Sequence, residues 1–289
     1  MEQLKHCYTD VNGIRMHYVT AGSGPLLLLL HGFPEFWYSW RQQIPALSPY
    51  FTVVAPDLRG YNETEKPAWG YELDVLVTDV WELIRVLGHT EAIVAGHDWG
   101  GALAWYLAIA YPHRVSRLIA LNMPHPALFA RALRTNPMQV LRSLYISFFQ
   151  LPWLPEALLR ANNYALIERV LCDDLVRKDA LSAQDIQAFK DAVRKPGALT
   201  AALNWYRALR REHSWLMDTP MRVEMPTLLI WGQQDRALGT ELTHGTERYA
   251  EDLHICYITR CSHWVQQEQP ELVNRYILDF LSDIIARNQ

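Results

Sequence analysis

Apolar positions along the chain keep two rhythms. Leu26–Leu30, Phe51–Ala55, Ala92–Ala95, Val115–Leu121, Thr227–Trp231 and Leu253–Thr259 are short, mostly apolar runs, the mark of strands covered on both faces. Leu73, Leu76, Val80, Leu83 and Leu87 instead recur at helical spacing and stop at Gly88, a helix-terminating glycine. A helix is also predicted around Glu241–Ala250, and another after Pro270 with Val273, Ile277, Phe280 and Ile284 on one face. At the start, Lys5–Thr9 and Arg15–Thr20 flank Asn12-Gly13, a two-residue hairpin signal, which predicts two antiparallel edge strands. Strands alternating with amphipathic helices predict a parallel, doubly wound α/β sheet.

The alternation stops between Asn122 and Met225. That stretch carries Phe129, Tyr145, Phe148, Phe149, Trp153, Tyr164, Phe189, Trp205, Tyr206 and Trp215, and Pro137, Pro152, Pro155, Pro196 and Pro220 cut it into short helices. It reads as a helical lid inserted after the sixth strand. The expected division is a core of residues 1–124 and 225–289 and a cap of residues 125–224.

Composition narrows the possible partners. With 27 basic and 31 acidic residues the chain has a net charge of −4 and no basic footprint, which argues against nucleic acid or an anionic membrane. The four cysteines show no C-x-x-C spacing and are expected to be reduced thiols, not metal ligands. No cationic and apolar leader opens the sequence, and Leu26–Leu30 is too short to span a bilayer, so a soluble, cytoplasmic monomer or homodimer is expected.

Candidate chemistry centres on Ala92–Ala110, AIVAGHDWGGALAWYLAIA, where an apolar strand runs through Gly96, Gly100 and Gly101 directly into a helix. A reversal that sharp strains its tip residue and needs nearly side-chain-free neighbours, which is the logic of a nucleophile elbow. The tip is Asp98. A carboxylate is already ionised at neutral pH and is stabilised by the free N–H groups of the helix start, so it needs no base before it attacks. An isolated Asp here would read more simply as a helix N-cap. Asp235 and His263 alter that balance, because both follow later strands at the carboxyl edge of the sheet, in the chain order an elbow nucleophile requires. Alone they would be a turn aspartate and a loop histidine; Asn122, also at a strand end, carries no charge. The backbone N–H groups of Phe33 and Trp99 fall where an oxyanion hole is formed. His31, His97, His125, Glu35, Asp57 and Arg59 are expected to hold loops together.

The motifs His31-Gly32-Phe33-Pro34, Gly96-His97-Asp98-Trp99-Gly100-Gly101, Asp235 and Ser262-His263-Trp264 resemble the epoxide hydrolases of the α/β-hydrolase fold, over essentially the whole chain. The resemblance implies a mostly parallel eight-stranded sheet with an inserted helical cap, and no cofactor or metal. It also implies that Tyr145 in YISFFQ and Tyr206 in NWYR donate hydrogen bonds to an opening epoxide. An apolar epoxide and water are then the expected partners, in a pocket lined by Phe33, Trp99, Phe149, Trp153 and Trp264. Phe33 stands where haloalkane dehalogenases often have Asn, Trp99 where fluoroacetate dehalogenases have Arg, and the loop Gly60–Thr64 departs from the glycine-containing version common among the epoxide hydrolases. A dehalogenase sharing Asp98, Asp235 and His263, or a binding protein without turnover, are the other readings. Asp98 in place of a serine disfavours an ordinary esterase.

Overall fold

The computed structural model describes residues 4–210 and 221–288; Trp215 and Pro220 lie outside the described residues. One eight-stranded sheet runs through it in the order β1-β2-β4-β3-β5-β6-β7-β8. Strands β1 (Lys5–Val11) and β2 (Ile14–Ala21) form the antiparallel edge. Asn12 and Gly13, at φ 44° and 77°, make the tight turn between them, whose twist suits a hairpin. The other strands, β3 (Leu26–Leu30), β4 (Thr52–Pro56), β5 (Ala92–His97), β6 (Val115–Leu121), β7 (Thr227–Gly232) and β8 (Leu253–Ile258), are mutually parallel.

Strand β3 displays the reason for its unbroken leucines. Leu26, Leu28 and Leu30 enter one apolar cluster, and Leu27 and Leu29 enter another on the opposite face. Helices α1 (Ile44–Leu47), α2 (Leu73–Val86) and α3 (Trp99–Ala110) cover these faces, α1 on the second cluster and α2 and α3 on the first. The chain passes from β3 outward to β4 and then back across to β5 on the other side of β3, so the sheet reverses direction of growth between β3 and β5. The carboxyl ends of these two strands open a crevice at that switch point.

Helices α4 (Pro126–Thr135), α5 (Pro137–Arg142), α6 (Leu144–Phe149), α7 (Leu154–Cys172), α8 (Ala183–Arg194) and α9 (Ala198–Ala208) follow β6 before the chain returns to the sheet at β7. Their breaks are local. Proline starts α4 and α5, Asn136 caps α5, and Ser182 and Asp185 form a capping box on α8. Within α7 the left-handed residues Asn162, Asn163 and Tyr164 mark a kink. Phe189, Leu199, Leu203, Trp205 and Tyr206 join the same apolar cluster as Leu28 and Leu103, so these helices share a core with one face of the sheet. Polar ties add to it: the Trp205 indole donates to the Arg59 carbonyl at 3.0 Å, and Arg41 pairs with Asp185 at 2.9 Å.

Two predicted helices differ from the structure. In place of one helix at Glu241–Ala250 there are two 3-10 turns, Thr240–Thr243 and Thr246–Arg248, because Gly245 at φ 95° interrupts the backbone between them. After the short α10 (Val265–Glu268), the final helix divides into α11 (Pro270–Phe280) and α12 (Ser282–Asn288) at the buried Leu281. Val273 and Ile277 are buried as expected, while Phe280 and Ile284 pack only partly against that cluster. No helix among the described residues is long and apolar enough to cross a membrane.

Candidate active site

Asp98 sits at the tip between β5 and α3 with φ 51° and ψ −123°, a strained conformation for a residue with a side chain. Close packing around it explains the glycines. A Cβ on Gly96 would lie 2.1 Å from the Gly100 carbonyl oxygen, and one on Gly100 would lie 2.1 Å from that of Leu30. The elbow therefore seats α3 directly against β3, and its carboxylate reaches the loop after β3, where the Phe33 N–H donates to Asp98 Oδ1 at 2.8 Å. The Phe33-Pro34 bond in that loop is cis. Trp99 opens α3, where backbone N–H groups lack intrahelical partners.

His263 and Asp235 converge on the same point. Asp235 Oδ2 lies 2.7 Å from His263 Nδ1, and Oδ1 accepts the N–H groups of Ala237 and Leu238 at 2.7 and 2.8 Å, which orients the carboxylate. Asn122 is the partner of that acid: its amide donates to Asp235 Oδ2 at 2.6 Å while its oxygen accepts the Gly232 N–H. The other ring nitrogen, Nε2, is 3.6 Å from Asp98 Oδ2, beyond hydrogen-bond length but within strong electrostatic reach.

The buried charges of this site influence one another. Burial works to raise the Asp98 carboxyl, but His263, His97 and the Phe33 N–H outweigh it and hold Asp98 below its ordinary range. Burial works to lower His263, but the Asp235 and then the Asp98 carboxylate hold it well above 6.5. The His263 ring thus lies between two carboxylates that favour its protonated form.

Two phenols complete the wall. Tyr145 on α6 and Tyr206 on α9 have ring centroids 5.9 Å apart, and both line a cavity of about 380 Å³ together with Asp98, His263, Phe33, Phe149 and Trp264. Burial and the Asp98 charge raise Tyr145; burial, Tyr145 and Asp98 raise Tyr206, so both phenols keep their protons. A second cavity, about 870 Å³, is a groove along α7 and α9 lined by Glu156, Arg160 and Arg207 among others, and neither Asp98, His263 nor either phenol lines it.

Two expected pocket residues sit elsewhere. Trp153 is 79 % exposed and lines that groove, because its left-handed backbone after Pro152 starts α7 with the side chain away from Asp98. Trp99 packs edge-on against Tyr206 and Trp205, at 5.2 and 5.5 Å, and thus supports the cavity wall.

The remaining polar residues hold the frame. His97 bridges Glu35 Oε2 at 2.8 Å and the His263 carbonyl at 2.9 Å, and Glu35 also accepts the Gly32 N–H. His31 bonds the Gly32 carbonyl and accepts the Leu58 N–H; burial lowers it. His125 caps α4, stacks on Tyr249, and is pushed by burial to about 4. Asp57 ties His17, Trp37 and Asn62, and Arg59 forms a two-pronged pair with Asp79. Sequence reasoning missed the charged residues near the opening, Arg142, Arg169, Asp173, Asp174 and Arg236, and the buried Glu268. Their surroundings, VLCDDL and VQQEQP, have no spacing that points to a site.

A sharp strand-to-helix turn that presents a carboxylate to a His–Asp pair, on a sheet of this order, defines a class: hydrolases of the α/β-hydrolase fold. A family model described as alpha/beta hydrolase fold matches residues 25–242. The chain is 43 % identical to the AB hydrolase superfamily protein YfhM of Bacillus subtilis (strain 168), covering 98 % of this chain and 100 % of that one. It is 40 % identical to Epoxide hydrolase 4 of Homo sapiens, covering 96 % of this chain and 79 % of that protein. The crystal structure of Bacillus megaterium epoxide hydrolase in complex with an inhibitor superposes with a TM-score of 0.89 at 37 % identity, over 96 % of this chain and 100 % of the other. The chain belongs to the α/β-hydrolase-fold family and, within it, to the epoxide-hydrolase group.

Proposed function

We propose that this protein hydrolyses apolar epoxides to vicinal diols through a covalent ester of Asp98. The observation that carries this reading is the placement of Asp98, His263 and two protonated phenols on the wall of a single cavity. Asp98 Oδ1 is held by the Phe33 N–H, which leaves Oδ2 to attack an epoxide carbon as the carbon–oxygen bond breaks. Tyr145 and Tyr206 donate to the oxygen as it becomes an alkoxide. Oδ1 then becomes the ester carbonyl oxygen, next to the N–H groups of Phe33 and Trp99 that would stabilise its later negative charge.

Proton balance supports the scheme. His263 holds a proton at rest because two carboxylates face it. Formation of the ester removes the Asp98 charge, so His263 becomes less basic and its proton makes up that of the alkoxide. Neutral His263, oriented by Asp235, takes a proton from water as that water attacks the ester carbonyl. Collapse of the tetrahedral intermediate breaks the ester bond, the departing oxygen takes the remaining proton of the added water to complete the diol, and the Asp98 carboxylate and imidazolium of the resting state are left. No cofactor enters this cycle. In this reading residues 125–224 are a cap domain whose α6 and α9 bring the phenols over Asp98.

The experiment is the intact mass of His263→Gln after mixing with an aryl epoxide. A gain equal to the whole epoxide, on the peptide holding Asp98, is expected, since ester formation is spared and its hydrolysis is blocked. No adduct with any of several epoxides, from folded protein, overturns the reading; an alkyl gain from a haloalkane would move it to a dehalogenase.

A further inference from the structure

His263 belongs to a loop, not to a helix or strand, and a base must keep its position to within a fraction of an ångström. Its side chain is held by Asp235, but its backbone is held from elsewhere. The His263 carbonyl accepts from His97 at 2.9 Å, and the His263 N–H donates to Asp174 Oδ2 at 3.3 Å. Asp174 comes from the loop that follows α7, in the helical insertion.

Glu268 makes the same connection in the opposite direction. This α10 carboxylate is fully buried. Its Oε2 accepts the N–H groups of Val176 and Arg177 at 2.7 and 2.8 Å, in the loop after α7. Its Oε1 accepts the Ser262 N–H at 2.8 Å and the Ser262 hydroxyl at 2.5 Å, one residue before His263. Leu175, buried between Asp174 and Val176, pins that loop into the main apolar cluster. Neither loop has a strand or helix partner for these donors, so the two carboxylates are what pair them, fully buried at Ser262 and partly buried at Val176, Arg177 and His263.

We propose that Asp174 and Glu268 are positioning residues, a reciprocal clasp between the loop after α7 and the loop carrying His263, which keeps the base in place only while this part of the insertion is seated. The inference rests on the ester mechanism proposed above. Glu268, with four short bonds, carries more of the clasp than Asp174, with one long one. Ester formation needs Asp98 and the phenols and takes from His263 only a proton that solvent can also deliver to the alkoxide, whereas ester hydrolysis needs His263 as a positioned base, so the clasp acts chiefly on the second step.

Single-turnover kinetics with an aryl epoxide, followed by mass, separate the two steps in Glu268→Gln and Asp174→Asn, with His263→Gln as control. Glu268→Gln is expected to slow ester hydrolysis by about tenfold or more while ester formation stays within about twofold of the parent. Asp174→Asn should show the same split, but smaller, and serves if Glu268→Gln does not fold. A merely structural role would reduce the folded fraction without changing the ratio of the two rate constants. Equal slowing of both steps, or of neither, while His263→Gln still accumulates ester, overturns the clasp alone. Absence of ester in folded His263→Gln overturns the mechanism and the clasp with it.

Discussion

Asp98 and His263 face each other across 3.6 Å, and the charge of each favours the charged form of the other, with Asp235 the larger influence on His263. Two pH limbs are expected. The limb of kcat/KM should fall at acid pH as Asp98 takes up a proton, below its ordinary value of 3.8, because its folded pKa is lowered. The limb of kcat should rise with pH as His263 of the ester loses its proton, at a lower pH than in the free enzyme, because Asp98 is no longer charged. Asp98→Asn mimics that neutralisation, and NMR titration of the His263 ring in it should find the pKa displaced downward; an unmoved value contradicts the coupling. The same shifts govern stability. His263 contributes stability that is fully present below 6.5 and is lost as pH rises through its elevated folded value. Asp98 contributes stability present above 3.8 and lost as pH falls through its lowered value. The phenols have a different test. Replacing Tyr145 or Tyr206 alone with Phe should slow ester formation by about 10²-fold, and replacing both should slow it further, with ester hydrolysis unchanged. Slowed hydrolysis with normal ester formation would remove the phenols from ring opening.

At the scale of elements, the elbow joining β5 to α3 is a contact problem before it is a chemical one. Alanine at Gly100 would press its Cβ to 2.1 Å from the Leu30 carbonyl oxygen, in backbone that cannot give way without moving α3 off the sheet. Gly100→Ala should therefore cost about 3 kcal/mol or more by urea unfolding and displace Asp98 from the Phe33 N–H. Gly88 provides the contrast. Its φ of 82° is left-handed, but nothing lies within 4 Å of an added Cβ, so Gly88→Ala should cost only about 1–2 kcal/mol and leave activity intact. Similar losses at both positions would mean that backbone strain, not close approach, limits the elbow.

Across the whole molecule, one apolar cluster runs from the sheet into the helical insertion, and Trp205 is central to it. That side chain is fully buried, its rings meet Tyr61 and Trp99 edge-on, and its N–H reaches the Arg59 carbonyl. Sheet and insertion are therefore expected to unfold together, with far-ultraviolet circular dichroism and tryptophan fluorescence tracing coincident transitions. Trp205→Ala should remove about 3–5 kcal/mol and lower the shared transition. Two separated transitions would show that the insertion is held independently of the sheet.

Elements whose cause is local were legible in the order of residues alone. Unbroken leucines could only be a strand covered on both sides, Asn12-Gly13 could only turn tightly, and the glycines around Asp98 announced a reversal too sharp for side chains. Chain order along such a sheet was enough to associate Asp98, Asp235 and His263, because consecutive strands deliver their carboxyl ends to one edge. Features that depend on partners distant in the chain emerged only on folding. Trp153 was legible as an aromatic of the insertion but not as one facing outward, since a single left-handed residue sets its direction. The helix expected at Glu241–Ala250 failed at Gly245, whose left-handed backbone outweighs the apolar period. Asn122 became the partner of Asp235, and Glu268 the link between two loops about ninety residues apart, only because folding placed an acceptor beside otherwise unpaired donors. Periodicity records which face of an element is buried, whereas hydrogen bonds between loops depend on where two chain segments meet, and that is encoded in no local stretch.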